Sequence, residues 1–138
     1  MNERLIQLLK RHEGFRSKPY TDTTGHLSIA YGRNLSEVGI SQQEGEFLLY
    51  NDLMRAHEDC LRNIPVYQHL DEVRCAVLVD MCFNMGIHGL LQFVGTLQAI
   101  SNGDYDIAAE HMLNSLWASQ VGNRAVEDVT MMRTGEWL

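Results

Sequence analysis

The sequence predicts an α+β fold, mainly α-helical, in which a small β-containing lobe and a larger helical lobe enclose a cleft. Residues 15–40 carry Pro and Gly at short intervals between apolar segments, which is typical of short strands joined by turns. Residues 1–14 and 41–138 carry helix-capping residues and apolar positions at helical spacing. With 138 residues, 45% of them hydrophobic, we expect a single domain over residues 1–138 with one buried core.

Capping residues predict where the helices begin and end. Asn2 can cap a first helix and Gly14 can end it, which places Glu13 at the C-terminus of that helix. The run from Ser41 to Glu44 has the form of a capping box and opens a long helix that reaches about residue 63. Further helices are predicted at residues 71–85, closed by Gly86, at 90–100, at 105–113 after the cap Asp104, and at 124–132 after the cap Asn123.

Charge and apolar pattern exclude several classes of partner. The formal net charge of −7 at pH 7 argues against nucleic acid, because phosphate binding needs clustered Lys and Arg. No apolar run approaches the roughly 20 residues of a membrane-spanning helix, so no membrane insertion is expected. The first residues lack the apolar stretch and cleavage site of a secretory signal peptide. If the protein acts outside the cytoplasm, we expect another factor to release it.

The cysteines and histidines indicate neither a disulfide framework nor a metal site. Cys60, Cys75 and Cys82 are odd in number and form no CxxC pair, so they are expected to be reduced core thiols. The six histidines show no HExxH pattern and no paired spacing. We therefore expect no metal and no cofactor.

Two acids and a hydroxyl near the N-terminus could form a hydrolytic site. Eight residues separate Glu13 from Asp22, and five separate Asp22 from Ser28. Glycoside hydrolysis needs one protonated carboxyl that donates to the leaving oxygen and one carboxylate on the opposite side. On spacing alone, solvated surface acids in a loop are the better interpretation. The residues around the two acids are what favour a hydrolytic site.

The segment from Leu9 to Leu35 closely resembles the catalytic signature of phage-type lysozymes, the T4 lysozyme-like endolysins of glycoside hydrolase family 24. The family spacing of glutamate, aspartate and threonine is reproduced, with serine in the threonine place. Segments 71–76, 82–86 and 117–137 resemble the helical part of that family, in the same order. The resemblance covers essentially the whole chain and implies a lysozyme-like fold. The short spacer at 36–40 predicts a compact β-containing lobe.

The resemblance assigns roles to the N-terminal acids. It implies that Glu13 is the general acid and that Asp22 positions or activates water, with Ser28 assisting. Serine keeps the hydroxyl of the family threonine but loses the β-branch that stiffens χ1, so the expected effect is on rate more than on reaction type. Ala30 stands where the family has glycine, which matters only if the backbone there needs a positive φ.

The resemblance also assigns residues in the helical part. Phe83, Asn84 and Thr96 fall where the family lines its sugar cleft, although Phe83 could equally be a core residue. The family counterpart of Arg124 forms an ion pair with the catalytic glutamate, whereas from sequence alone Arg124 could be a solvated surface residue.

Together these residues imply an endolysin-type muramidase that hydrolyses, with inversion, the β-1,4 bond between N-acetylmuramic acid and N-acetylglucosamine in peptidoglycan. The expected partner is the peptidoglycan glycan chain and the expected state is a monomer. We expect the protein in the host bacterial cytoplasm before release, and then at the cell wall. The alternatives are a non-catalytic wall-binding relative, and transglycosylase or chitinase activity in the same cleft. A structural domain of a larger assembly is disfavoured by the length of the chain.

Overall fold

The computed structural model describes residues 2–138, and the chain divides into two compact units, Met1–Leu48 and Leu49–Leu138. The described residues are mainly helical and include one small antiparallel sheet, so the predicted α+β, mainly α class is confirmed. The first unit holds the sheet together with the helices on either side of it in sequence. The second unit is helical.

The first unit begins with helix α1, Glu3–Glu13. As predicted, the side chain of Asn2 caps it by accepting a hydrogen bond from the backbone N–H of Arg4. Gly14 ends it at φ 68°, with its own N–H donating to the carbonyl of Lys10. The helix therefore stops at Glu13, which places the carboxyl of that residue at the start of the strand region.

Three short strands follow: β1, Arg16–Thr21; β2, Leu27–Ala30; and β3, Arg33–Asn34. They pair antiparallel in the order β1-β2-β3, with Ser28 opposite Tyr20 on one side and opposite Asn34 on the other. The prediction of short strands joined by turns is confirmed. Because β2 is the central strand, its two ends set the positions of the turns on either side.

Helix α2, Gln42–Asn63, begins at the predicted capping box and crosses from the first unit into the second. The Ser41 hydroxyl accepts from the Glu44 N–H at 3.1 Å, and the Glu44 carboxylate accepts from the Ser41 hydroxyl at 3.1 Å. Glu44 also forms an ion pair with Arg33, whose guanidinium donates to the Gly39 carbonyl. These bonds connect β3 to the first turn of α2.

The second unit packs its helices around an apolar core. Cys60, Leu78, Met81, Met112 and Met132 have no exposed surface. The three cysteines are free, with Cys60 and Cys82 buried, as predicted. After a 3-10 turn at Tyr67–His69, the helices are α3, Glu72–Leu91; α4, Val94–Ser101; α5, Tyr105–Leu113; α6, Leu116–Val121; and α7, Asn123–Thr134.

Helix α3 is long and apolar enough, by length and composition alone, to span a membrane, which the sequence analysis did not anticipate. Its residues Val77, Leu78 and Met81 are buried in the second unit. A helix that crosses the centre of a core has the same apolar composition as a membrane span. The packing of α3 therefore accounts for its hydropathy.

Of the two helix boundaries predicted around Gly86, the break at Gly86 is confirmed and the start of the next helix at residue 90 is wrong. Gly86 has φ 78° and ψ 162°, so the helical conformation breaks there as expected. The chain then resumes the helix to Leu91, because glycine absorbs the break within a single residue. The next helix consequently begins at Val94, not at residue 90. Leu90 is fully buried at the end of α3.

The C-terminal helices also differ from the prediction in detail. Helix α6 was not predicted, since its six residues are too few to show a periodic pattern. The bounds of α5 are confirmed, but the Asp104 side chain makes no capping bond among the described residues. Asn123 is the first residue of α7, and Gly122 takes the capping position at φ 59°.

Ala30, at the end of β2, is the one non-glycine residue with a positive φ in residues 2–138. Its φ is 59°, so the backbone does require the left-handed region where the family has glycine. This conformation costs an L-residue about 1–2 kcal/mol. The strain sits two residues before Gly32, which contacts a predicted site residue.

Candidate active site

The carboxyl of Glu13 lies against the backbone of Gly32, in the turn between β2 and β3. A Cβ atom added to Gly32 would stand 2.8 Å from Glu13 Oε2, closer than real Cβ contacts allow. The same glycine has φ 76°, a conformation that other residues adopt only with strain. Gly32 therefore serves the turn through its positive φ, and a Cβ at this position would force the Glu13 carboxyl to shift.

Asp22 sits in the turn between β1 and β2, where its two carboxylate oxygens differ. Oδ1 accepts three hydrogen bonds, from the Thr24 N–H at 2.9 Å, the Thr24 hydroxyl at 2.8 Å and the His26 N–H at 2.9 Å. The bond from the His26 backbone is the main cause that lowers the pKa of Asp22, followed by the bond from Thr24. Oδ2 accepts no hydrogen bond from residues 2–138. Asp22 is thus an ionised carboxylate with one oxygen fixed and the other open.

Ser28 lies in the middle of β2 and is 2% exposed. Its backbone is in register with Tyr20 on β1, two residues before Asp22. The hydroxyl therefore has little surface to offer to a water from bulk solvent, and its assisting role stays a prediction.

The three predicted residues of the first unit are organised by one strand. The backbone N–H of Asp22 donates to the His26 carbonyl at 2.8 Å, which places Asp22 at the beginning of β2. Glu13 contacts Gly32, just beyond the end of β2. The four residues of β2 span about 10 Å at 3.3 Å per residue. The structure thus places one acid at each end of this short strand.

In the second unit, Asn84 and Thr96 are connected through Trp117. The indole Nε1 of Trp117 donates to Asn84 Oδ1 at 2.9 Å. Trp117 and Thr96 both line a cavity of about 350 Å³. Phe83 instead lines a separate cavity of about 850 Å³, so it is not grouped with the other two. Phe93, His111 and Gln120, which were not singled out from the sequence, are among the other residues that line the smaller cavity.

Arg124 forms an ion pair with Asp80, which joins α7 to α3. Its Nε donates to Asp80 Oδ2 at 2.8 Å and its Nη2 to Asp80 Oδ1 at 2.7 Å. This two-pronged geometry is the strongest that an arginine and a carboxylate can adopt. Arg124 is therefore not simply a solvated surface residue. Its predicted pairing with Glu13 stays a prediction.

Asp128 lies beside this ion pair and is 5% exposed. Its Oδ2 has no hydrogen-bond partner among the described residues. Burial is the main cause that raises the pKa of Asp128 well above its ordinary range, and the hydrogen bond with Asp80 adds to it. Burial and the neighbouring Asp80 thus favour the protonated form of Asp128. The sequence analysis missed both acids, although an aspartate inside the apolar run of α3 was a usable signal for Asp80.

Comparisons with known proteins agree on one family. Residues 10–136 match the family model described as Phage lysozyme. The chain is 26% identical to "Probable T4-type lysozyme 1" of Dictyostelium discoideum, over 93% of this chain and 92% of that protein. It is 27% identical to the "Endolysin" of Acyrthosiphon pisum secondary endosymbiont phage 1, over 90% and 85%. It is also 27% identical to "Pre-baseplate central spike protein Gp5" of Enterobacteria phage T4, over 97% of this chain and 28% of that protein.

The raised pKa of Asp128 predicts a stability that declines with pH. Above its ordinary value of 3.8 the unfolded chain loses this proton while the folded chain keeps it. The free energy of unfolding therefore falls as pH rises from about 4 until the raised pKa is passed. Asp128→Asn, which imitates the protonated form, should flatten this decline and raise the midpoint of thermal unfolding at pH 8.

The control is Asp106→Asn, because it makes the same substitution at an aspartate whose side chain is 85% exposed. Thermal unfolding followed by circular dichroism from pH 4 to 9 compares the two variants with the wild type. An Asp128→Asn protein with the wild-type pH slope, or with a lower midpoint at pH 8, would contradict the protonated assignment.

Proposed function

Because the chain belongs to the phage lysozyme family, we propose that it is an endolysin-type muramidase that hydrolyses the β-1,4 bond between N-acetylmuramic acid and N-acetylglucosamine. A lysozyme is a glycosidase, so the chain is an enzyme of the hydrolase class and its substrate is peptidoglycan. Beyond this class, we propose which bond is cleaved, with which stereochemistry and by which residues.

The observation that carries the mechanism is the setting of Asp22. Its lowered pKa keeps it ionised, and its open Oδ2 can accept a hydrogen bond from a water molecule. Glu13 supplies the proton. It donates to the glycosidic oxygen as the bond from the anomeric carbon breaks, while Asp22 takes a proton from the water that attacks that carbon. The products are two shorter glycans, and the proton taken up by Asp22 balances the one that Glu13 gives away.

The arrangement of the two acids supports inversion. An inverting glycosidase keeps its carboxyls about 6.5–9.5 Å apart, which leaves room for the attacking water. Asp22 lies before β2 and Glu13 contacts Gly32 after it, so the four residues of that strand stand between the two acids. A retaining enzyme instead needs a separation of about 5–5.5 Å so that one carboxylate can attack the sugar directly.

The remaining predicted residues have supporting roles in this proposal. Ser28 helps to orient the water beside Asp22. Asn84, Thr96 and Phe83 contact the glycan in this proposal. The exposure of Asn84 and Phe83 supports this role, whereas Thr96 is 2% exposed and would reach a sugar only through the wall of the cavity it shares with Trp117. Arg124 pairs with Glu13 while Asp80 holds its guanidinium in place.

The proposed setting is lysis of a bacterial host. A phage endolysin is among the relatives, so we place the protein in the host cytoplasm before release and at the cell wall afterwards, where its action is bacteriolytic. It acts as a monomer on the glycan chain and needs no nucleic acid, membrane insertion or cofactor. A non-catalytic wall-binding protein would have no use for a carboxylate activated in the manner of Asp22.

Glu13→Gln tests the proposed acid. The substitution keeps the shape of the side chain and removes its proton, so lysis of purified peptidoglycan should fall by about 10²–10⁴-fold. The matched control is Glu3→Gln, at the opposite end of α1, which should lyse as the wild type does. Turbidity loss measures the rate, and circular dichroism confirms the fold. Activity of Glu13→Gln within a few-fold of the wild type would remove Glu13 from the mechanism.

Gly32→Ala tests the position of that acid. The added Cβ would displace the Glu13 carboxyl, and a displacement of about 1 Å can cost up to about 100-fold in rate. Gly39→Ala is the control, because Gly39 also has a positive φ, of 66°, but a Cβ there meets nothing within 4 Å. Both variants should lose similar stability, whereas only Gly32→Ala should lose most of its lytic rate. Equal rates in the two variants would show that the contact with Gly32 does not position Glu13.

A further inference from the structure

His26, which has no role in the mechanism above, lies between two carboxylates in the turn between β1 and β2. Its Nε2 is 3.2 Å from a carboxylate oxygen of Glu37. Its Nδ1 is 2.7 Å from the hydroxyl of Thr24, and that hydroxyl donates to Asp22 Oδ1 at 2.8 Å. Nδ1 is also 3.9 Å from the open oxygen, Asp22 Oδ2. A continuous chain of polar contacts thus leads from Glu37 through the imidazole to the water-directing carboxylate.

Counting hydrogens shows which form of the imidazole satisfies both of these contacts. The Thr24 hydroxyl has one hydrogen and gives it to Asp22, which is ionised and can only accept. The contact between Thr24 and Nδ1 is then a hydrogen bond only if Nδ1 is the donor. The Glu37 carboxylate is likewise only an acceptor, so its contact with Nε2 is attractive when Nε2 carries a hydrogen. Both ring nitrogens carry a hydrogen only in the positively charged imidazolium.

We propose that His26 is a positioning residue for Asp22, acting in its protonated form through the Thr24 hydroxyl, so that glycan hydrolysis slows when His26 loses its proton. This inference rests on the proposed function of Asp22. In neutral His26 the hydrogen on Nε2 stays with Glu37, and Nδ1 becomes an acceptor. The Thr24 hydroxyl can then rotate its hydrogen from Asp22 to Nδ1.

The rotation changes the carboxylate that directs the water. Asp22 Oδ1 would keep the two backbone donors, Thr24 N–H and His26 N–H, and lose the third bond, from the hydroxyl. The positive charge 3.9 Å from Oδ2 would disappear in the same step. Asp22 and Glu37 are the charged groups that contact His26 among residues 2–138. Loss of the His26 proton would therefore change both the hydrogen bonding and the electrostatic environment of the Asp22 carboxylate.

The experiment follows protonation and turnover separately. Nitrogen-15 NMR of the wild-type chain gives the protonation of both nitrogens of His26 as a function of pH. Steady-state kinetics on a soluble peptidoglycan fragment give kcat and KM over the same range. The wild-type kcat should fall by about two- to tenfold, the effect of one hydrogen bond, with the midpoint at which His26 loses its proton, while KM changes little.

Variants then remove the individual contacts between His26, Thr24 and Asp22. His26→Gln should lower kcat and remove the pH step, since a glutamine side chain does not titrate. Thr24→Val should remove the step by deleting the hydroxyl, and Thr24→Ser should restore it. His69→Gln is the control, because His69 is exposed in the 3-10 turn of the second unit, and it should keep the wild-type profile.

A His26→Gln enzyme with the wild-type pH profile would overturn the proposal, as would an NMR titration that shows neutral His26 at the pH of maximal kcat. These measurements on wild type and His26→Gln decide the matter even if Thr24→Val does not fold. Asp22→Asn separates this inference from the function on which it rests. Full activity of Asp22→Asn would refute the proposed mechanism, whereas an inactive Asp22→Asn beside an unchanged His26→Gln would refute only the role of His26.

Discussion

The three hydrogen bonds accepted by Asp22 Oδ1 are the constraint on which the arrangement of the first unit depends. They close the turn between β1 and β2, and the turn brings Tyr20 opposite Ser28 in the sheet. Once β2 is placed, the next turn places Gly32, and Gly32 provides the space for the carboxyl of Glu13. The same bonds that fold the turn also lower the pKa of Asp22, so the folding of this lobe and the chemistry of its carboxylate have one cause.

In the second unit the surroundings raise the pKa of an acid, whereas in the first unit they lower the pKa of Asp22. Asp80 accepts two hydrogen bonds from Arg124, while burial beside it raises the pKa of Asp128. A buried acid without a full set of hydrogen-bond partners lowers the stability of a protein. Proteins keep such residues more readily where the residue has a function. Here the two acids hold a guanidinium at the junction of α3 and α7.

Local signals in the sequence predicted the parts of the fold that depend on neighbouring residues. Asn2, Gly14 and the capping box at Ser41 fix helix ends through bonds spanning four residues or fewer, and all three were predicted. The break at Gly86 was also predicted, but the resumption of α3 beyond it depends on tertiary packing. The pairing of Asp80 with Arg124 joins residues 44 apart, and no single-sequence pattern indicates such a contact. The site residues came from the family resemblance, because spacing alone did not distinguish Glu13 and Asp22 from surface acids.

The central claim is that Asp22 directs a water molecule and forms no bond to the sugar. Proton NMR of the first product of glycan hydrolysis tests it most directly, because the anomeric configuration records which face of the sugar was attacked. Attack by a water held on Asp22 inverts the β-glycosidic bond and must yield the α-anomer first. A β-anomer as the first product would show retention through a covalent intermediate, and an anhydro end would show transglycosylation; either result would contradict the account.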